Sequence, residues 1–262
     1  LRRVKRRRSI LLNHIVENKR LVVAAAKRKR PLRREDIKTK GDFRLRRAIA
    51  EREWSLIAEC KLASPAKGRL TTRHSVADLA KLYEQNGAAA LSVHTDAHFL
   101  GRLEDIAAVK AVTSLPVLRK EFIVDEYQLY ETALAGADGV LLIAAVLQAE
   151  ELKRYQEIAE DLGLDCLVEV HGAAELPAAL AAQAPLLGIN NRDLTNFRTD
   201  VEHTFQLLPQ CAGQLVISES GIKNGETARR LRQAGVRGIL VGEGLVVADD
   251  VAAMTREMAL ME

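Results

Sequence analysis

Residues 215–244 read Leu215-Val216-Ile217-Ser218-Glu219-Ser220-Gly221-Ile222-Lys223-Asn224-Gly225-Glu226-Thr227-Ala228-Arg229-Arg230-Leu231-Arg232-Gln233-Ala234-Gly235-Val236-Arg237-Gly238-Ile239-Leu240-Val241-Gly242-Glu243-Gly244. Leu215–Glu219 is a short apolar, β-branched run of strand length. Asn224–Ala234 has helical spacing behind a capping asparagine and is stopped by Gly235. A second strand-like run follows at Gly238–Gly242. Strand, helix and strand in so short a stretch imply parallel strands joined by a crossover helix.

The same unit recurs upstream. Further apolar runs lie at Ser55–Cys60, Ala90–His94, Leu115–Lys120, Gly139–Ile143, Cys166–Val170 and Leu186–Asn190, with successive starts 20 to 35 residues apart. Helical stretches separate them, among them Asp125–Ala135, Gln148–Leu162 and Ser75–Asn86. The last has an N-cap serine, Asp78 at the third helical position and Gly87 beyond its end. Eight such units predict an α/β protein, a closed (β/α)8 TIM barrel over residues 48–262. A doubly wound open sheet is the alternative, but the turn after the first strand, Lys61-Leu62-Ala63-Ser64-Pro65, lacks the glycine-rich phosphate loop of that fold. Residues 9–30 read as an extra helix before the barrel, inside a basic extension over residues 1–47.

The 262 residues are 48% hydrophobic and 28% charged, which excludes a disordered chain. Residues 1–47 hold 19 Lys/Arg against 4 Asp/Glu, and the remainder 20 against 31, so a basic arm precedes an acidic body. Phe43 is the only aromatic residue of the arm. The arm therefore reads as a solvated helix face laid over acidic surface, with neither nucleic acid nor membrane as partner. A duplex-binding arm is the rival, and steeply salt-dependent binding would support it. No apolar run approaches the roughly 18 residues of a membrane span, and the segment from Ile10 is too short and polar for a signal peptide. Cys60, Cys166 and Cys211 are odd in number and far apart, which fits a reducing, cytoplasmic setting.

In a parallel barrel the chemistry sits at the C-terminal strand ends. Those ends carry Glu59 and Lys61, then Thr95 and Phe99, Lys120 with Phe122, Leu141 with Ile143, Glu169, Asn190 with Arg192, Glu219-Ser220-Gly221 and Gly242-Glu243-Gly244. Glu59 and Lys61 are two apart and share a face, which turns Cys60 toward a helix. Glu59, Lys61, Lys120 and Glu169 form a two-acid, two-base set where isolated charges would be costly. Ser220-Gly221 and Gly242–Gly244 suit a phosphate cradle, although an ordinary strand–turn junction uses the same glycines. Phe99, Phe122 and Leu141 offer an apolar slot for an aryl ring, and Arg192 is a candidate for a carboxylate. His94 and His98 flank Asp96, but a metal site needs a third ligand, and no metal is expected.

These residues resemble the indole-3-glycerol-phosphate synthase family. The resemblance is carried by Ile57–Gly68, Leu91–Thr95, Leu118–Ile123, Leu167–Val170, Gly188–Leu194 and Ser218–Ile222, in order along nearly the whole chain. It implies a cofactor-free barrel that cyclises 1-(2-carboxyphenylamino)-1-deoxyribulose 5-phosphate with loss of carbon dioxide and water. It further implies Lys120 as general acid, Glu169 as general base, Glu59 and Lys61 in the dehydration, and Asn190 and Ser220 as substrate contacts. Ser64, Gly221, Gly242 and Glu243 fall at its phosphate positions, the last through its backbone. Leu62 stands where many members carry a basic residue, and Gly244 where a hydroxyl or other small residue is common.

Two other barrel chemistries stay in view. Phosphoribosylanthranilate isomerases need an inward cysteine ending strand 1 and an aspartate ending strand 6. A Schiff-base aldolase would use Lys120 covalently. Three expectations follow for the folded chain. Residues 9–47, with Ile10, Ile15, Leu21 and Val22 as the apolar pattern, lie over the barrel mouth. The Lys120 ammonium enters the mouth with Glu59 or Glu169 as its counter-charge, and as an acid it needs a shift toward neutrality from burial or a neighbouring cation such as Lys61. A single chain, a monomer, carries the whole site.

Overall fold

A computed structural model describes residues 2–65, 67–194 and 198–261, with side chains from Leu12 onward; Leu1 and the side chain of Ile10 lie outside that set. Eight strands form one closed parallel barrel in sequential order: β1 Ser55–Cys60, β2 Ala90–His94, β3 Val117–Lys120, β4 Gly139–Ile143, β5 Asp165–Val170, β6 Leu186–Asn190, β7 Leu215–Glu219 and β8 Gly238–Val241. Ile57 pairs with Ala90, Leu118 with Gly139, Leu141 with Leu167 and Leu186 with Leu215, and Leu56 against Ile239 closes the ring. Closure excludes the open-sheet alternative. β3 starts at Val117 instead of Leu115, because Pro116 has no N–H for the ladder.

Alternation along each strand sorts the residues. One set fills the barrel with Ile57, Ala90, Leu118, Leu141, Leu167, Leu186, Ile217 and Leu240. The other set packs outward under the helices, with Leu56, Ala58, Cys60 and Val93 on one side and Val140, Cys166, Val168 and Ile189 on the other. Cys60 thus faces helices, as its place between two inward charges required, and the inward cysteine of the isomerase alternative is absent from strand 1.

The helices include α1 Arg2–Lys29, α2 Arg44–Ala50, α3 Val76–Gln85, α4 Glu104–Lys110, α5 Tyr127–Ala135 and α6 Ala149–Leu162. Ser75 caps α3 through a full capping box with Asp78, as its sequence predicts. In α1 the buried face matches the predicted one only at Ile15. Leu21 and Val22 are exposed, while Ile15 and Val23 are buried. The docking stripe is Ile15, Lys19, Val23 and Lys27, spaced four apart along one helical face. Val23 packs on Val124 and Tyr127, and Lys27 pairs with Asp125 at 2.9 Å, so α1 lies beside the loop after β3 at the barrel mouth.

The chain then descends along α6. Arg34 pairs with Asp161, and the Gly41 N–H donates to the Leu162 carbonyl at 2.9 Å. There α2 seals the opposite end: Leu45 and Ile49 insert beside Ile57, Leu118 and Leu167. α2 runs across residue 47, so the basic extension passes into the barrel's floor without a linker. Much of its charge is met by barrel acids: Arg44 by Asp138 at 3.1 Å, Arg46 by Asp165 at 3.3 Å and Lys19 by Asp96 at 2.8 Å.

Candidate active site

Two residues beyond the last apolar inward side chain, every strand but β4 turns polar or loses its side chain; β4 stays apolar through Ile143. Ile57 leads to Glu59 and Lys61, Leu118 to Lys120, Leu167 to Glu169 and His171, Ile217 to Glu219, and Leu240 to Gly242. The charges converge. Lys120 Nζ lies 3.1 Å from Glu169 Oε2 and 2.7 Å from Glu219 Oε2, and Lys61 Nζ lies 3.6 Å from Glu59 Oε1. The structure therefore joins Lys120 to Glu169 and Lys61 to Glu59. It adds Glu219, which sequence reasoning left among the strand-end residues without a role. Its signal was present: Glu219 is two residues beyond inward-facing Ile217 at the end of a parallel strand. Two glycines make room for these carboxylates. A β-carbon at Gly188 would collide with Glu219, and one at Gly242 with Glu59.

Burial alone would depress Lys120, but Glu219, Glu169 and Glu59 outweigh it and hold the ammonium above the ordinary lysine range. This corrects the expected shift toward neutrality: three carboxylates, against one neighbouring lysine, reverse its sign. Glu169 is pushed up by burial, yet Lys120 and His171 bring it well below the usual carboxylate range. Glu219, equally buried and facing the Glu169 charge, is pushed up to about 8. The two carboxylates are coupled, and between them they share one proton near neutrality. Burial disfavours the Glu59 charge, but His94 and Lys61 more than offset this and lower it. His171, 3.2 Å from Glu169 Oε1, is depressed by burial but lifted by Glu169 and Glu175 to about 10.

The other predicted residues divide. Phe99 sits in the short turn Ala97–Phe99 after β2, stacked on His94, with the Lys61 ammonium 5.4 Å from its ring centre. Phe122 follows Lys120 and packs on the top of the inner core, its N–H held by Glu121 Oε1 at 2.8 Å. Leu141 pairs with Leu167, one inward layer below Glu169, and Ile143 is the β4 side chain level with that carboxylate. Asn190 Oδ1 accepts the Arg192 N–H at 3.0 Å, so both belong to one turn after β6. Ser220 has φ +65 and is followed by Gly221 at φ +81. A serine in this region persists only where its surroundings impose it, and buried Asn191 does so by donating to the Ser220 carbonyl at 3.0 Å. Ser64 is buried in a small hairpin, Ala63–Ser64 against Gly68–Arg69, and its Oγ accepts the Lys67 N–H. Lys67 in turn lies 2.6 Å from Glu243 Oε1. The Glu243 carboxylate therefore turns to the loop after β1, and the Gly244 backbone stands beside the Ile222 carbonyl.

A second network ties α1 to this mouth. Lys19 Nζ meets Asp96 Oδ2 at 2.8 Å and Glu121 Oε1 at 3.0 Å. Asp96 caps the turn bearing Phe99 through the His98 N–H, while Glu121 receives the Thr95 hydroxyl at 2.8 Å. His94 and His98 diverge, His98 toward Asp96 and His94 toward Glu59. Among the described residues no group of three or more His, Cys, Asp or Glu side chains is arranged to hold a metal ion.

A closed (β/α)8 barrel with buried acid–base pairs at its C-terminal mouth is the arrangement of a barrel enzyme. Solved structures share the fold. One is 3-hexulose-6-phosphate synthase from Salmonella typhimurium, at TM-score 0.63 and 17% identity, covering 79% of this chain and 97% of that one. Another is thiamine phosphate pyrophosphorylase from Pyrococcus furiosus, at TM-score 0.60 and 19% identity, covering 82% and 95%. The family model for indole-3-glycerol phosphate synthase matches residues 12–258. Proteins of that name from Carboxydothermus hydrogenoformans and Laribacter hongkongensis are 43% and 42% identical, covering 92% and 96% of this chain and 96% and 100% of theirs. The chain belongs to the indole-3-glycerol phosphate synthase family.

Proposed function

We propose that this chain closes the indole ring of indole-3-glycerol phosphate from 1-(2-carboxyphenylamino)-1-deoxyribulose 5-phosphate, a decarboxylating lyase step of tryptophan biosynthesis. The observation that carries the reading is Lys120 held between Glu169 and Glu219 at the barrel mouth, in a chain of this family.

The aryl carbon bearing the carboxylate bonds to the sugar ketone carbon, and Lys120 gives a proton to the ketone oxygen. A lysine held charged by three carboxylates is fully protonated at neutral pH, and substrate displacing it from Glu219 would release it as a donor. The aryl carboxylate leaves as carbon dioxide, its bonding electrons restoring the aromatic ring. The new hydroxyl then leaves as water on a proton given by Lys61, which Glu59 holds, while Glu169 takes the proton lost from the neighbouring ring methylene carbon. Phe99 and Phe122 flank the aryl ring, with Leu141 beneath, and Arg192 meets the carboxylate. Asn190 and Ser220 hold the sugar chain. Ser64 and the backbone N–H groups at Gly221 and Gly242–Gly244 receive the phosphate. Every step is served by side chains, and we assign no cofactor.

No described helix is long and apolar enough to cross a membrane. The three cysteines are free and buried, which supports a cytoplasmic setting. The proposed groups need no second copy, and we assign the activity to a monomer. Supplying the anthranilate-bearing sugar phosphate to purified protein should produce indole fluorescence and one carbon dioxide per product, unchanged by EDTA. Substrate consumption without indole, or activity lost to EDTA and restored by a metal, would overturn the reading. Trapping of a Lys120 adduct by borohydride would favour the aldolase alternative.

A further inference from the structure

We propose that His94 is a positioning residue of this site, fixing the Phe99 ring and the Glu59 carboxylate as one unit; the proposal rests on the ring-closing reading above. His94 ends β2 and is 7% exposed. Its ring lies 4.2 Å from that of Phe99 at 9° between planes, so the histidine sets the tilt of the proposed aryl wall. On its other edge, Nε2 lies 3.2 Å from Glu59 Oε1, off the line of an aligned hydrogen bond.

Glu59 has little freedom elsewhere. Ser92 Oγ donates to its second oxygen at 3.4 Å, Lys61 stands 3.6 Å away, and the bare Gly242 backbone backs it. The turn carrying Phe99 presses on the same histidine from outside, since a β-carbon at Gly101 would strike the His94 carbonyl. The charged groups around the ring are Glu59, Lys61 across Phe99, and Lys120 in register on β3, which is itself engaged with Glu169 and Glu219. His98 and Lys19 are engaged with Asp96. A space-filling residue here would need a ring or a nitrogen at most. His94 applies both, to two groups assigned different tasks, and the two contacts can be removed separately.

The test measures kcat, KM and melting temperature for conversion of the carboxyphenylamino sugar phosphate. His94→Phe keeps the stacked plane and removes the nitrogen: kcat should fall about 10-fold with KM within about twofold. His94→Gln keeps a polar atom and removes the plane: KM should rise about three- to tenfold with kcat nearly kept, the worth of one aromatic stack. His94→Leu should show both changes, and it replaces either variant that fails to fold. Variants with wild-type constants, or with the same change in both constants, would overturn the proposal while wild-type turnover leaves the ring-closing reading intact. No indole product from the wild type would sink both.

Discussion

At its N-terminal end the barrel is closed by Leu45 and Ile49, both fully buried among aliphatic side chains, with two acids, Asp138 held by the Arg44 guanidinium and Asp165 by the Arg46 backbone and guanidinium. At its C-terminal end the same strands bring Glu59, Glu169, Glu219, Lys61 and Lys120 together with buried histidines. There His94 Nε2, both His171 nitrogens and Glu219 Oε1 have no aligned hydrogen bond, against Asp165 Oδ1 and Ser55 Oγ at the N-terminal end. Unsatisfied buried polar groups destabilise a fold. One end thus contributes stability, and the other retains strain and unmatched charge where a substrate can engage them.

Exchanging the roles of the two ends would break this comparison. Glu169→Gln should lower turnover by roughly two to four orders of magnitude, the usual worth of a positioned base, and leave the melting temperature near wild type. Ile49→Ala at the floor should do the reverse. Its cavity costs about 2–5 kcal/mol, measurable by urea unfolding, while turnover per folded molecule stays within about twofold. A floor variant that loses activity without losing stability would contradict the division.

Lys19 tests whether α1 belongs to the mouth. Lys19→Met leaves Asp96 and Glu121 without their shared cation, a loss of about 1–3 kcal/mol for groups this buried. It should raise KM several-fold through the Phe99 turn and Phe122, with kcat changed less. Equal KM in variant and wild type would make α1 a separate arm.

A pH slope sharpens the same comparison. Glu219 titrates at about 8 when folded against an ordinary value of 4.5. Between these values the folded chain binds the extra proton, so this group's contribution to stability falls as pH rises. Glu219→Gln removes that slope, and its melting temperature should gain on the wild type steadily from about pH 5 to pH 8. A gain independent of pH would show that Glu219 stays ionised.

Most of the barrel was legible in the sequence, because each strand–helix unit carries its own local signals: Ser75 with Asp78, Gly235 after its helix, alternation from Ile57 to Glu59. Parity also puts Glu59 and Lys61 on one face, and their place at strand ends singles out Lys120 and Glu169. Parity along one strand does not say which strand ends meet across the mouth. For that reason Glu219 was passed over as a partner of Lys120, His94 was weighed only as a metal ligand, and the shift of Lys120 was given the wrong sign. In α1, helical spacing was legible but its docking face was not: Leu21 and Val22 are apolar yet exposed. Lys19 and Lys27, counted as solvated charge, lie on the side that meets the barrel.

Lys120→Met tests the central claim most directly, because it keeps the packing of the stem and removes the proton donor between Glu169 and Glu219. Turnover of the carboxyphenylamino sugar phosphate should fall by roughly two to four orders of magnitude, with a melting temperature equal to wild type or higher. Near-normal indole formation by this variant would remove Lys120 from the reaction and leave Lys61 as the acid.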